Sequence, residues 1–349
     1  MNLLIITQKV DVNDDNLGFF HAWLEKFSLK ASYLIVIGQY KRVYNLPFNV
    51  KVFSLGKEKN YSKFRQLFNF YILLFKNLSK VDAVFVHMIP MWAVLCYPLS
   101  FFFRKKVYLW YVHKSINFWL KISEKLVFKI FTASKESFRL PSKKVIITGH
   151  GIDIERFKIR PQEFYELKPR ITKLKIIHAG RIAPVKNQEI LIKAADILVN
   201  QKKIKNFQIQ IIGRPILKPD FKYLENLKKF VSEKKLENFV KFLGKVSHQK
   251  IADYYQKADL FFHLSGTGSV DKVALEALAC GLSVFSSSEA FQKILPKKYL
   301  LQEATAEIIA NTIVHFQQIG EKEKQDLRNI VVKKHSLNNL ITRILKEIT

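Results

Sequence analysis

The chain has 349 residues, 48% hydrophobic and 25% charged, a balance that excludes a largely disordered protein and predicts two compact units of roughly 150 residues each. Its net charge of +29 implies long-range attraction to an anionic surface or polymer. Only Cys96 and Cys280 are present, in unrelated contexts, so neither a disulfide framework nor a zinc cluster is expected and a reducing cytoplasm fits.

The opening "MNLLIITQKV" lacks a basic leader and a small-residue cleavage site, and reads as a first strand rather than a signal peptide. "DVNDDNLGFFHA" begins like a calcium loop, but Asn16 stands where glycine is required and Ala22 where glutamate should be, so no metal is predicted. Strand-length runs then follow at "SYLIVIG", "DAVFVH", "VYLWYV", "KIFTAS" and "KVIITG", separated by helix-length segments. Such alternation predicts crossover units and a parallel sheet.

Two of the separating segments are unusual. "YSKFRQLFNFYILLFKNLSK" sets Lys and Arg among aromatics, a pattern that fits either an interfacial helix on acidic lipid or a core helix with a basic edge. "MIPMWAVLCYPLSFFF" is interrupted by Pro90 and Pro98 and is shorter than the roughly 20 residues that span a bilayer, so no transmembrane helix is expected. Residues 101–148 alone carry a net charge of +9. No finger, basic zipper or RNA-binding aromatic motif accompanies the charge, and nucleic acid is not predicted as a partner.

Beyond the connector "GHGIDIERFKIRP", whose Gly149 and Gly151 suit a hinge, the alternation repeats with "LKIIHAG", "FQIQIIG", "FVKFLG", "ADLFFHL" and "LSVFSSS". The reading is an α/β chain with an N-terminal unit over 1–150, a C-terminal unit over 151–335 and a last helix over 336–349 that returns to the first unit. Open parallel sheets bind ligands beyond the carboxyl ends of their strands, so a cleft there is the expected site.

Within "AGRIAPVKNQEILIKAADIL", Arg181 and Lys186 stand at a helix N-terminus, where cations oppose the macrodipole. Held diphosphate would reverse that sign, because backbone N–H groups, a guanidinium fork and an ammonium all favour it. "SGTGSVDKVALEALACG" predicts a second such helix, with Gly268 in a flexible loop, Ser269 as N-cap and Gly281 as the stop. Glu276 lies on its apolar stripe, and burying a carboxylate unpaired costs several kcal/mol. Lys272, one turn earlier, is in the weaker orientation for an ion pair. The two hydroxyls of a ribose match the carboxylate better, which points to a nucleotide.

Together "GHGIDIERF", "AGRIAPVKN" and "GTGSVDKVALEALACG" resemble the motifs of retaining GT-B glycosyltransferases of the family 4 type, the glycosyl transferases group 1, in a likeness strongest over residues 149–287. The resemblance implies two Rossmann-like domains facing a cleft, a metal-independent hexosyltransferase without cofactor, and a nucleotide-diphosphate sugar as donor. It implies that Arg181 and Lys186 hold the diphosphate and Glu276 the ribose. The first glutamate of the family's pair is missing: its slot is Gly268, or Ser265 if counted against the glycines.

Asp271 then either substitutes as a hydroxyl acceptor or stabilises its helix N-terminus. His113, at the end of "VYLWYV", matches a histidine the family often sets near the reacting sugar, and Gly18 matches the glycine loop that admits donor phosphate or acceptor. His21 reads as helix packing.

The implied role is cell-envelope polysaccharide synthesis, using a glycan or lipid-linked acceptor at the inner, anionic face of the membrane. Two other readings stay open: a nucleotide-sugar-binding regulatory module without transfer activity, and a sugar-nucleotide epimerase.

Overall fold

The computed structural model of the chain describes residues 1–14, 17–160, 173–268 and 270–349. It divides into two compact units, Met1–Asp153 with Lys334–Thr349, and Ile154–Lys333.

The first unit holds β1 (Asn2–Val10), α1 (Phe19–Ser28), β2 (Tyr33–Lys41), β3 (Val50–Ser54), α2 (Lys63–Leu78), β4 (Ala83–His87), α3 (Pro90–Phe102), β5 (Lys106–Trp110), α4 (Phe118–Leu126), β6 (Lys129–Thr132) and β7 (Val145–Ile147). Its seven strands are all parallel, in the order β3-β2-β1-β4-β5-β6-β7. Central strands are covered on both faces, which is why they read as unbroken apolar runs; every residue of β4 is buried. β3, at the edge, was not predicted. Of its five residues only Val52 is buried, so "VKVFS" shows no such run.

One face of this sheet is covered by α2, α3 and α4, through Phe70, Leu74, Trp92, Cys96 and Leu120. The other is covered by α1, through Trp23 and Phe27, and by the last helix of the chain, through Leu340 and Ile344. Pro90 and Pro98 were expected to interrupt their segment. Pro90 instead begins α3, where its missing N–H is not needed, and Pro98 is carried inside the helix. No described helix is long and apolar enough to cross a membrane.

Gly149 and Gly151 have φ of 83° and 71°, as a hinge would allow, but their lack of a side chain serves packing. A Cβ on Gly149 would stand 2.0 Å from the Lys334 carbonyl oxygen, and one on Gly151 2.8 Å from the Trp23 ring. All of these residues belong to the first unit.

The second unit holds β8 (Leu174–Ala179), α5 (Gln188–Asp196), β9 (Phe207–Ile212), α6 (Lys218–Glu233), β10 (Val240–Gly244), α7 (Ile251–Lys257), β11 (Leu260–His263), α8 (Lys272–Ala279), β12 (Ser283–Ser286), α9 (Ala306–Val314) and most of α10 (Glu321–His335), after which α11 (Leu337–Ile348) belongs to the first unit. Its five parallel strands run β10-β9-β8-β11-β12. Strand order reverses between β8 and β11, the position at which open parallel sheets bind ligands, beyond the carboxyl ends of the strands.

Candidate functional site

The loop after β8 carries Arg181 and Lys186, and the loop after β11 leads to Asp271 and α8. Two bonds stitch them together: Asn187 Nδ2 donates to the Leu264 carbonyl at 2.8 Å, and the Gly266 N–H to the Val185 carbonyl at 2.9 Å. Gly213, at the end of β9, lets the backbone press close, since a Cβ there would lie 1.8 Å from the Gly180 carbonyl oxygen.

Lys186 Nζ crosses between the loops, donating to Ser265 Oγ at 3.1 Å and Asp271 Oδ2 at 2.5 Å. The same carboxylate oxygen takes His263 Nε2 at 2.9 Å, and the other ring nitrogen meets Ser286 Oγ at 2.9 Å. Donation from Nε2 to Asp271 leaves Nδ1 to accept from the serine hydroxyl. Burial opposes ionisation of Asp271, but His263 and then Lys186 outweigh it and hold the carboxyl well below its usual range.

Arg181 Nε lies 3.8 Å from Asp220 Oδ2, which also accepts the Leu217 and Ile216 N–H groups at 3.0 and 3.3 Å. The expectation of two cations awaiting an anion is therefore modified, because each already faces a carboxylate. The α5 N-terminus is partly engaged too: the Glu189 N–H donates to the Tyr223 hydroxyl at 3.2 Å.

Glu276 is 5% exposed, and its partner is distant in sequence. Its Oε1 stands 3.2 Å from His248 Nε2, and His248 Nδ1 stands 3.0 Å from Arg156 Nη1. Arginine can only donate, so Nδ1 accepts and the imidazole proton sits on Nε2, aimed at the carboxylate. On α7, burial and then the Glu276 charge push the Tyr255 hydroxyl well above its usual pKa. Burial lowers the Lys272 ammonium, and Glu276 opposes that.

The predicted N-cap is corrected. α8 begins at Lys272 with Asp271 at the cap position, and the Asp271 side chain makes no capping bond because it is engaged by Lys186 and His263. Ser269 lies outside the described residues. Gly268 has φ of 64°, and Gly281 ends α8 at φ 74°, a left-handed conformation suited to glycine.

The remaining two predicted residues lie in the first unit. His113 is exposed just beyond β5, its Nδ1 accepting from the Ser115 hydroxyl at 2.7 Å and the Ser115 N–H at 3.1 Å. It borders a cavity of about 460 Å³ together with Met88, Pro90, Tyr111, Asn117 and Trp119. Gly18 caps α1 with an ordinary φ of −57°, and is fixed by contact instead: a Cβ would lie 2.3 Å from the Asp14 carbonyl oxygen. His21 packs in α1, accepting the Asn45 N–H at 3.1 Å.

Sequence reasoning missed Arg156, His248, His263 and Asp220. The last had a signal, since the Pro and Asp of "LKPD" suit a helix start. The two histidines had none, because what they meet, Glu276 on α8 for His248 and Asp271 with Ser286 of β12 for His263, is brought to them by the fold.

Two parallel-sheet α/β domains of seven and five strands define the GT-B glycosyltransferase architecture. Anabaena HepE in complex with UDP shares it at a TM-score of 0.76 and 18% identity, over 100% of this chain and 99% of that one. Sucrose-phosphate synthase from Thermosynechococcus elongatus does so at 0.71 and 14%, over 99% and 98%. Residues 160–295 match the family model described as Glycosyl transferases group 1. A D-inositol 3-phosphate glycosyltransferase from an Arthrobacter species is 30% identical over 139 residues, 39% of this chain and 32% of its own. The alpha-monoglucosyldiacylglycerol synthase of Streptococcus pneumoniae is 29% identical over 150 residues, 41% and 32% respectively. The chain thus spans about a third of the length of the curated relatives it matches.

Proposed function

We propose that the protein transfers a hexosyl group from a nucleotide-diphosphate sugar to a glycan or lipid-linked acceptor at the cytoplasmic face of the membrane, with retention of anomeric configuration and without a metal. The observation that carries this reading is the joining of the Lys186 loop to the loop that leads into the Glu276 helix, directly after the two strands where sheet order reverses. An ammonium has three N–H donors. Ser265 and Asp271 occupy two, which leaves a third for a phosphate oxygen.

In this reading Arg181 and Lys186 stabilise the charge that builds on the departing diphosphate, and Glu276 accepts from ribose hydroxyls. Asp271, standing near the slot of the missing glutamate, accepts from a sugar hydroxyl. Gly268, in the loop that leads to Asp271, leaves room for the donor phosphate to approach. The bond from the anomeric carbon to the phosphate oxygen breaks, the acceptor oxygen bonds to that carbon on the same face, and the acceptor proton passes to the departing phosphate. Structures of Anabaena HepE with UDP and with UDP-glucose favour a uridine donor.

Incubation with UDP, GDP and ADP sugars tests the proposal. Transfer or slow donor hydrolysis supports it, an isomerised sugar favours an epimerase, and binding without turnover favours a regulatory module.

A further inference from the structure

Helix α2 buries Phe70, Leu74 and Leu78 against the sheet. At 100° per residue, Phe64, Phe68 and Phe75 fall within an arc of roughly 40°, centred about 100° around the helix from those buried residues. They are 87%, 67% and 62% exposed, and Phe102 at the end of α3 is 75% exposed. The row is continuous, for the Phe75 and Phe103 rings lie 5.9 Å apart and those of Phe102 and Phe103 5.4 Å apart. Isolated surface phenylalanines need no explanation, but an aligned row does.

The charge around the row has one sign. Lys63, Arg65 and Lys76 stand on α2, Lys80 lies just beyond its end, and Arg104 and Lys105 follow Phe102. Residues 59–123 hold ten Lys or Arg and a single acid, Asp82, whose carboxylate is engaged by the Asn2 N–H at 2.7 Å. The Arg65 guanidinium lies 3.6 Å over the Tyr61 ring, so cation and aromatic share one surface layer.

We propose that the Phe64, Phe68, Phe75 and Phe102 row is a docking face for an anionic phospholipid bilayer. Aromatic rings enter the boundary between headgroup and acyl chain while flexible lysine stems keep their ammonium groups at lipid phosphate. A second copy of this chain is disfavoured, because pairing the faces would bring two strongly basic surfaces together. A projecting ridge also suits a fluid surface better than a rigid partner, whose cores close by tight shape complementarity. This inference deepens the lipid-linked acceptor reading but needs no turnover, so either can fail while the other stands.

The test is flotation of the full chain, without donor, on vesicles of phosphatidylglycerol and phosphatidylcholine or of phosphatidylcholine alone, at low salt and at about 0.5 M, where charge is largely screened. Binding to the anionic vesicles, weakened by salt, is expected. The combined Phe64→Ser, Phe68→Ser and Phe75→Ser variant should bind about tenfold more weakly or worse, with unchanged circular dichroism. The combined Lys63→Glu, Arg65→Glu and Lys76→Glu variant should lose the preference for anionic lipid. Absence of wild-type flotation, undiminished binding by the serine variant, or a wild-type dimer that this variant dissociates would each overturn the proposal.

Discussion

His248 Nε2 donates to Glu276 Oε1 at 3.2 Å across 28 positions of sequence, and this bond supplies the partner that the carboxylate of α8 lacks locally. Removing the imidazole by His248→Ala leaves a buried acceptor without its donor, a loss of about 1–3 kcal/mol. A lower urea midpoint is the expected outcome. Glu276→Gln keeps the volume and removes the charge that ribose hydroxyls would meet, so affinity for UDP or GDP should fall about tenfold or more, near 1.4 kcal/mol. Calorimetry that finds equal affinity would count against the ribose assignment.

Asp271 gives a pH dependence. Its carboxyl is held below the unfolded value of 3.8 by His263 and Lys186 against the cost of burial. A depressed carboxyl contributes stability above the unfolded value and loses it as pH falls further toward the folded one. Asp271→Asn should therefore be less stable than wild type at pH 6, with the gap closing below about pH 4. Denaturant midpoints across that window measure it, and a constant gap would refute the assignment.

The second buried titration belongs to His178. Its Nδ1–H donates to the Phe262 carbonyl at 2.9 Å, and burial pushes the ring down to about 4 from 6.5. The neutral ring therefore stabilises the fold above pH 6.5, and that contribution disappears as pH falls toward 4. Histidine-labelled NMR should show the His178 ring still neutral at pH 5.5, where an exposed imidazole is mostly charged.

Arg328 anchors α8 from behind. Its Nη1 donates to the Ala279 carbonyl at 2.6 Å and to Phe157 at 2.5 Å, and its Nη2 to Ile154 at 2.8 Å. Arg328→Met would strand those carbonyls, one of them at the α8 terminus, and should cost about 2–4 kcal/mol. Differential scanning calorimetry should record the lowered transition, and an unchanged one would assign those carbonyls other partners.

Eleven of the twelve described strands were visible as apolar runs, the central ones because a parallel strand covered on both faces leaves that mark. β3 was not: the edge strands β7 and β10 are no more buried, but "VKVFS" sets Lys51 and Ser54 into so short a segment that no apolar run stands out. Arg181, Lys186 and Glu276 stood out because each was a charge that its own helix could not accommodate, and Asp271 because it stands near the slot of the missing glutamate.

The sequence by itself determined every described strand but β3, that the strands lie parallel in two sheets, and where charge stands beside a helix terminus, because periodicity and local chemistry act within a few residues. Only the tertiary structure decided what those charges meet: Lys186 finds Asp271, Arg181 faces Asp220, and Glu276 finds His248 held by Arg156. Parallel crossovers bring together loops that are separated by tens of residues, and no local pattern records which side chains will face each other there.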